Sequence, residues 1–115
     1  MKTVLYMLAA LAPLTVPAAP AVAAPRIARC VITSDAGTWR GPCWFEPQRG
    51  GSFEVAAQRG NFNGTEAVSV FITSPGVAEV RGLTSRGINS NWGTARRSPN
   101  DRACWVGEGF SVCVY

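Results

Sequence analysis

Beyond residue 24, apolar and polar residues alternate along the chain in short runs separated by Gly, Pro, Asn and Asp. The runs are rich in Val, Ile, Phe, Thr and Trp, and none shows the apolar period of about 3.6 residues that marks an amphipathic helix. Short β-branched runs bounded by turn residues predict strands. The eight predicted strands cover residues 28–33, 38–45, 52–57, 66–73, 77–83, 93–97, 103–106 and 110–114.

The connections between the predicted strands are short and have the composition of turns. Gly supplies positive φ, Pro presets a turn, and Asn and Asp bond to their own backbone. Short connections place consecutive strands side by side in antiparallel order. The pattern therefore predicts an all-β fold, a small antiparallel meander of about eight short strands that closes into a barrel or a sandwich.

The first 24 residues differ in composition from the rest of the chain. Met1-Lys2-Thr3 is a short, positively charged start, and residues 4–12 form an unbroken apolar run before a stretch rich in Pro and Ala. This layout is typical of a secretory signal peptide, and Ala21-Val22-Ala23 fits the small-x-small rule for cleavage. The apolar run is too short for a membrane span, which needs about 20 residues. We expect residues 1–23 to be removed and residues 24–115 to form a single β domain, secreted or periplasmic.

Four cysteines follow this leader, at Cys30, Cys43, Cys104 and Cys113. An even number of cysteines in a small exported domain predicts disulfides. If Ala36-Gly37 are the central residues of a hairpin turn, Cys30 lies directly opposite Cys43. If Glu108-Gly109 are central in another, Cys104 lies directly opposite Cys113. We therefore expect two local disulfides, Cys30–Cys43 and Cys104–Cys113.

The absence of histidine limits the chemistry open to this chain. A four-cysteine zinc site usually has close Cys-x-x-Cys pairs, which are missing here, and a catalytic thiol needs an activating base. The seven acidic residues have no motif around them, and a small barrel has little room for the two-carboxylate cleft of a glycosidase. We therefore expect no enzyme activity, no catalytic residue, no metal site and no cofactor.

The charge of the expected mature domain is mildly positive, with ten arginines and no lysine against seven acidic residues. A nucleic-acid-binding surface needs a dense basic stripe. The arginines are instead spread along the chain, and only Arg96 and Arg97 are adjacent. We therefore expect a solvated basic surface and no nucleic-acid partner, which leaves a protein or an envelope glycan as the partner.

The four tryptophans are interpreted in two ways. Trp44 and Trp105 each follow a cysteine within a predicted strand, and we expect both to pack in the core. Trp92 ends the longest predicted connection, residues 84–92, and loops on a rigid β scaffold often carry binding. Arg86, Asn89 and Trp92 are therefore the candidate binding residues. The competing interpretation is that Ile88 and Trp92 fold back and close one end of the barrel.

The leading hypothesis for function is a non-catalytic exported β domain that binds an envelope or extracellular partner. One alternative is an inhibitor of a cell-wall hydrolase. Ser85-Arg86-Gly87 resembles the Ser-x-Gly element that small periplasmic lysozyme inhibitors, themselves disulfide-linked β-barrels, insert into the enzyme cleft. The resemblance covers three residues, and Ile88-Asn89 depart from the continuation in that family. The other alternative is a carbohydrate- or peptidoglycan-binding module that uses Trp39 or Trp92 with arginines.

The leader generates the first prediction. Protein recovered after export is expected to begin at Ala24 and to contain no free thiol. Intact-mass measurement with and without an alkylating agent checks both points. A mass that includes residues 1–23, or alkylation in the absence of a reductant, contradicts it.

Overall fold

The computed structural model describes Pro13 and residues 23–115. The signal-peptide prediction thus lies outside the described residues, except at Pro13 and Ala23. The strands are β1 (Arg26–Ser34), β2 (Gly37–Pro47), β3 (Phe53–Ala57), β4 (Thr65–Ser74), β5 (Val77–Thr84), β6 (Asn89–Arg97), β7 (Cys104–Gly107) and β8 (Phe110–Val114). A 3-10 turn, Arg49–Gly51, connects β2 to β3. No α-helix is present in the part of the chain that is described.

The strands form a closed antiparallel barrel in chain order, because β8 pairs with β1. The all-β prediction is confirmed, and of its two alternatives the molecule adopts the barrel. Consecutive strands pair, so their connections alternate between the two ends. We call the end with the β1–β2, β3–β4, β5–β6 and β7–β8 connections the mouth. We call the opposite end, where β1 begins and β8 ends, the base.

The core lies inside the barrel and is built largely from small and β-branched side chains. An eight-stranded barrel has a lumen just wide enough for side chains to fill. Strand residues alternate between the lumen and solvent. The fully buried lumen residues include Val55, Val68, Val70, Val80 and Val112. Valine suits this position because its short branched side chain fills a narrow lumen and also favours strand geometry.

The Cys30–Cys43 disulfide lies within this core, with a Cα–Cα distance of 5.8 Å. The pairing prediction is confirmed, but the predicted register is wrong. Cys30 lies opposite Gly41, because the turn is centred on Asp35-Ala36 rather than one residue later. This shift moves each partner by two positions and keeps both cysteines on the same face, since the side-chain period of a strand is two. The disulfide therefore joins residues that lie diagonally across β1 and β2, not directly opposite each other.

The Cys104–Cys113 disulfide joins directly opposite residues in the predicted register, with a Cα–Cα distance of 4.0 Å. The neighbouring pair, Trp105 and Val112, belongs to the core. By alternation, this cystine lies on the outer face of the barrel. The Tyr115 hydroxyl lies 3.7 Å from Cys104 Sγ and helps to cover it.

The two Cys-Trp steps in the chain thus point in opposite directions. Cys43 faces the lumen, so Trp44 faces outward and is 48% exposed. Cys104 faces outward, so Trp105 faces the lumen and is only 3% exposed. The expectation of a core position is confirmed for Trp105 and wrong for Trp44.

The other correction concerns the predicted long connection over residues 84–92. Strand β6 begins at Asn89, four residues earlier than predicted, and the β5–β6 connection is reduced to residues 85–88. Of the three candidate binding residues, only Arg86 lies in this connection. Asn89 and Trp92 belong to the strand. The other predicted strand ends agree with the structure within two residues.

A polar contact anchors the β6–β7 connection to the end of the chain. Asp101 accepts a 2.6 Å hydrogen bond from the Tyr115 hydroxyl and a 3.0 Å bond from the Ala103 N–H. These bonds, the first more strongly, lower the pKa of Asp101 below its ordinary value of 3.8. The hydrogen bond to Asp101 also raises the pKa of Tyr115 above 10.0.

This contact predicts a pH-dependent contribution to stability. A lowered carboxyl pKa stabilises the fold above pH 3.8, and this contribution is lost as the pH falls through the folded value. The raised phenol pKa stabilises it below pH 10.0, and this contribution is lost as the pH rises through the folded value. Tyr115→Phe is therefore expected to lower the Tm at neutral pH, with a smaller effect at both extremes. A Tm difference that is constant with pH contradicts the prediction.

Candidate binding site at the mouth of the barrel

A cleft of about 520 Å³ opens at the mouth of the barrel. Its residues come from five strands, near their ends, and from the connections at the mouth. They are Ser34, Asp35, Ala36, Asn63, Gly64, Thr65, Thr84, Ser90, Trp92, Glu108, Gly109 and Phe110. The volume falls in the range of about 300–1,000 Å³ found for small-molecule sites.

Two aromatic rings form the inner wall of this cleft. Trp92 and Phe110 meet edge to face, with their ring centroids 5.6 Å apart. Phe110 is buried, whereas Trp92 is half-buried and packs against the core. The indole lies against Gly82 of β5, where an added Cβ would come within 2.6 Å of Nε1. The absence of a side chain at this glycine therefore lets the indole reach its position.

A β-bulge explains why Trp92 faces inward. Val80 pairs with Gly93 and Arg81 pairs with Asn91, so Trp92 is an additional residue on β6. Counting back from the buried Ala95 by strict alternation would place residue 92 on the outer face. The additional residue resets the alternation, and bulges commonly re-aim a side chain in this way. The bulge therefore turns an aromatic residue into the cleft.

The rim of the cleft is polar and acidic. Asp35 lies in the β1–β2 turn and Glu108 in the β7–β8 turn, and both are exposed. Asn63 adds an amide at a φ of 50°, a left-handed conformation that Asn tolerates. Hydroxyl groups come from Ser34, Thr65, Thr84 and Ser90, whereas no basic residue is among the described lining residues. This rim offers many hydrogen-bonding oxygens and a negative charge.

Hydrogen bonds brace the connections around the rim. Ser85 donates from its N–H and its Oγ to the Gly64 carbonyl, at 3.0 and 3.1 Å. Asn61 Nδ2 donates to Ser85 Oγ at 3.1 Å. The β5–β6 turn is closed by bonds between Thr84 and Ile88. The β3–β4 and β5–β6 connections therefore support each other, which pre-organises this side of the cleft.

The three candidate residues predicted from the sequence lie at three different positions in the structure. Trp92 lines the cleft, and Arg86 is exposed at the tip of the adjacent turn. Asn89 lies elsewhere, on the outer face of the barrel, where it borders a separate open cleft of about 490 Å³ with Phe71 and Arg81. The competing interpretation, in which Ile88 and Trp92 both fold back to close one end of the barrel, is wrong for Ile88, which is 60% exposed. Trp92 does turn inward, where it is half-buried and packs against the core.

Sequence reasoning did not identify Asp35, Glu108 or Phe110 as residues of a common site. They lie in two hairpins that are remote in the chain. The available signal was the order of the strands, because alternate turns of a closed meander lie at the same end. That rule brings both turns to the mouth, but it does not predict which of their side chains line a cleft.

Among the described residues, no cluster of three or more His, Cys, Asp or Glu side chains is placed to hold a metal ion. Nor is any helix in this part of the chain long and apolar enough to cross a membrane. In comparisons with known proteins, the chain matches no family model, no curated protein and no solved structure.

The close contact between Gly82 and Trp92 generates a prediction. Gly82→Ala is expected to displace the indole and to change the near-UV circular dichroism of the tryptophans. Overpacking of this kind usually costs about 1–3 kcal/mol. Leu83→Ala is the matched control, because Leu83 is 39% exposed on the same strand. An unchanged aromatic spectrum for Gly82→Ala contradicts the described position of Trp92.

Proposed function

We propose that this protein is a non-catalytic exported β domain that binds a glycan of the cell envelope or extracellular space at the mouth of its barrel. The observation that carries the proposal is the combination of an aromatic wall, Trp92 with Phe110, and a rim of hydroxyl, amide and carboxylate groups. A sugar ring has apolar C–H faces and hydroxyl edges. The indole of Trp92 can pack against a C–H face, and the polar groups of the rim can form hydrogen bonds with the hydroxyl groups.

The charge of the rim narrows the class of glycan. Two carboxylates line the cleft, at Asp35 and Glu108, without a basic residue among the other lining groups. Carboxylates accept hydrogen bonds from sugar hydroxyl groups but repel phosphates and uronic acids. The ligand that fits best is therefore a neutral oligosaccharide.

An exported location agrees with the two disulfides, which persist in oxidising compartments such as the periplasm or the external medium. The amino-terminal leader supports the same location. Secretion and periplasmic retention are equally compatible with these features. Either location would give the cleft access to envelope or extracellular glycans.

The position of the acidic residues favours binding without hydrolysis. Glycosidases use a carboxylic acid held in a desolvated pocket together with a second carboxylate across the bond. Asp35 and Glu108 are both exposed at the tips of turns. Neither has the shielding that a general acid requires.

The alternative of a hydrolase inhibitor is favoured by one feature, the exposed and internally bonded turn at Ser85-Arg86-Gly87. The same hydrogen bonds also count against it. The Ser85 hydroxyl already donates to Gly64 and accepts from Asn61, so the turn presents no unused serine hydroxyl. The cleft is therefore the better-supported binding surface.

Calorimetric titration distinguishes these functions. Soluble N-acetylglucosamine oligosaccharides are expected to bind without release of shorter products, and Trp92→Ala is expected to weaken binding by about tenfold or more. Trp44→Ala is the matched control, because Trp44 is exposed on the outer face. It should leave the affinity unchanged.

Three results overturn the proposal. They are the absence of binding to neutral oligosaccharides, equal losses in the Trp92→Ala and Trp44→Ala variants, and release of shortened sugars. A parallel titration against lysozyme tests the inhibitor hypothesis. Binding that is lost in Arg86→Ala but retained in Trp92→Ala would assign the function to the β5–β6 turn.

A further inference from the structure

The base of the barrel contains a second cavity, a pit of about 290 Å³. Its wall combines apolar side chains with two arginines. The lining residues are Arg26, Phe45, Gly51, Phe53, Ile72, Arg97, Ala103, Trp105 and Val114. This pit lies at the opposite end from the mouth cleft, and fully buried valines fill the lumen between them.

Two arginines occupy strand positions that face inward at this pit. Arg26 is two residues before the buried Ala28 on β1, and Arg97 is two residues after the buried Ala95 on β6. Both therefore share the lumen-facing side of their strands, because side chains alternate. A simple barrel would place apolar residues at these positions. The chain instead brings two permanent positive charges to a pit that is otherwise lined by aromatic and small or aliphatic residues.

Each guanidinium group is held against an aromatic ring of the pit. Arg26 Cζ lies 4.8 Å from the centroid of Phe45, and Arg97 Cζ lies 5.4 Å from that of Trp105. Arg97 Nε also donates a 2.7 Å hydrogen bond to the Arg102 carbonyl. These contacts orient the planar groups while leaving the terminal NH₂ groups of Arg97 for another acceptor.

The charge around the pit is not neutralised by its own lining. None of the residues that form it is acidic. Asp101, the acidic residue of the adjacent β6–β7 connection, already accepts bonds from Tyr115 and Ala103. The charge of the pit is therefore opposite to that of the mouth cleft, which has two carboxylates and no basic lining residue.

We propose that the base pit is a second binding site, for a small hydrophobic anion. The ligand would carry one carboxylate, sulfonate or phosphate group on a short apolar body. The anionic group would accept charge-assisted hydrogen bonds from Arg26 and Arg97. The apolar body would lie against Phe53, Ile72 and Val114 and displace water from them. The small volume excludes long acyl chains from full burial.

This proposal does not depend on glycan binding at the mouth. Octanoate is the probe, because it combines one carboxylate with a short apolar chain. Calorimetric titration of the intact exported protein should show binding of octanoate. Acetate, which lacks the chain, and octyltrimethylammonium, which reverses the charge, should both bind at least about tenfold more weakly.

Substitutions locate the site. Arg26→Gln and Arg97→Gln should each weaken octanoate binding by about tenfold or more, which corresponds to the loss of one charge-assisted hydrogen bond. Arg86→Gln, at the mouth, is the matched control and should have no effect. Both arginines are exposed, but only Arg97 also donates a hydrogen bond to the β6–β7 connection, so the Arg26 variant is expected to fold even if that of Arg97 is destabilised. Titration with an N-acetylglucosamine oligosaccharide present should give the same octanoate affinity.

Several outcomes overturn the proposal. Equal binding of octanoate and octyltrimethylammonium would show non-specific hydrophobic association. Equal losses in Arg26→Gln and Arg86→Gln would show a general effect of net charge. Arginine-dependent binding to anionic phospholipid vesicles without binding to octanoate would assign the base to a membrane surface. Failure of sugar binding at the mouth would leave this result unaffected.

Discussion

Closure of the barrel by the β1–β8 pairing is the constraint on which the rest of the structure depends. Closure removes free strand edges and gives every strand one face toward a narrow lumen. The lumen accepts only side chains of limited volume, which explains the fully buried valines along its length. Residues beyond this packed section, at either end, are released from that requirement. The two ends, like the outer face of the barrel, can therefore carry binding groups without loss of the core.

The two ends use this freedom in opposite ways. The mouth gathers Asp35 and Glu108 around an aromatic wall, whereas the base gathers Arg26 and Arg97 around an apolar pit. Since the packed lumen separates them, a ligand at one end has no open path to the other. The barrel thus acts as a rigid spacer between an acidic polar cleft and a basic apolar one. The outer disulfide, Cys104–Cys113, reinforces the hairpin that contributes Phe110 to the mouth and Trp105 to the base.

Much of the fold could be predicted from the sequence, because alternation and turn residues are local signals. They were sufficient for eight strands, for the meander order and for both disulfide pairings. The register at Cys30 could not be predicted in the same way. A turn centre that moves by one residue changes which residues face each other but keeps the same face inward. Two cysteines at a diagonal remain within bonding distance, so the pairing was correct although its register was not.

The candidate site was less predictable because it depends on a break in the alternation. The bulge at Trp92 adds one residue to β6, and no local pattern distinguishes a bulged strand from the end of a loop. The sequence pattern therefore predicts residues 89–92 as part of a connection. Alternation alone also cannot show that Trp44 faces solvent and Trp105 faces the lumen. That distinction requires knowing on which face of the barrel the preceding cysteine lies. Once the barrel fixes Cys43 inside and Cys104 outside, the orientations of both tryptophans follow. Long-range closure therefore determines which aromatic residues pack in the lumen and which remain at the surface.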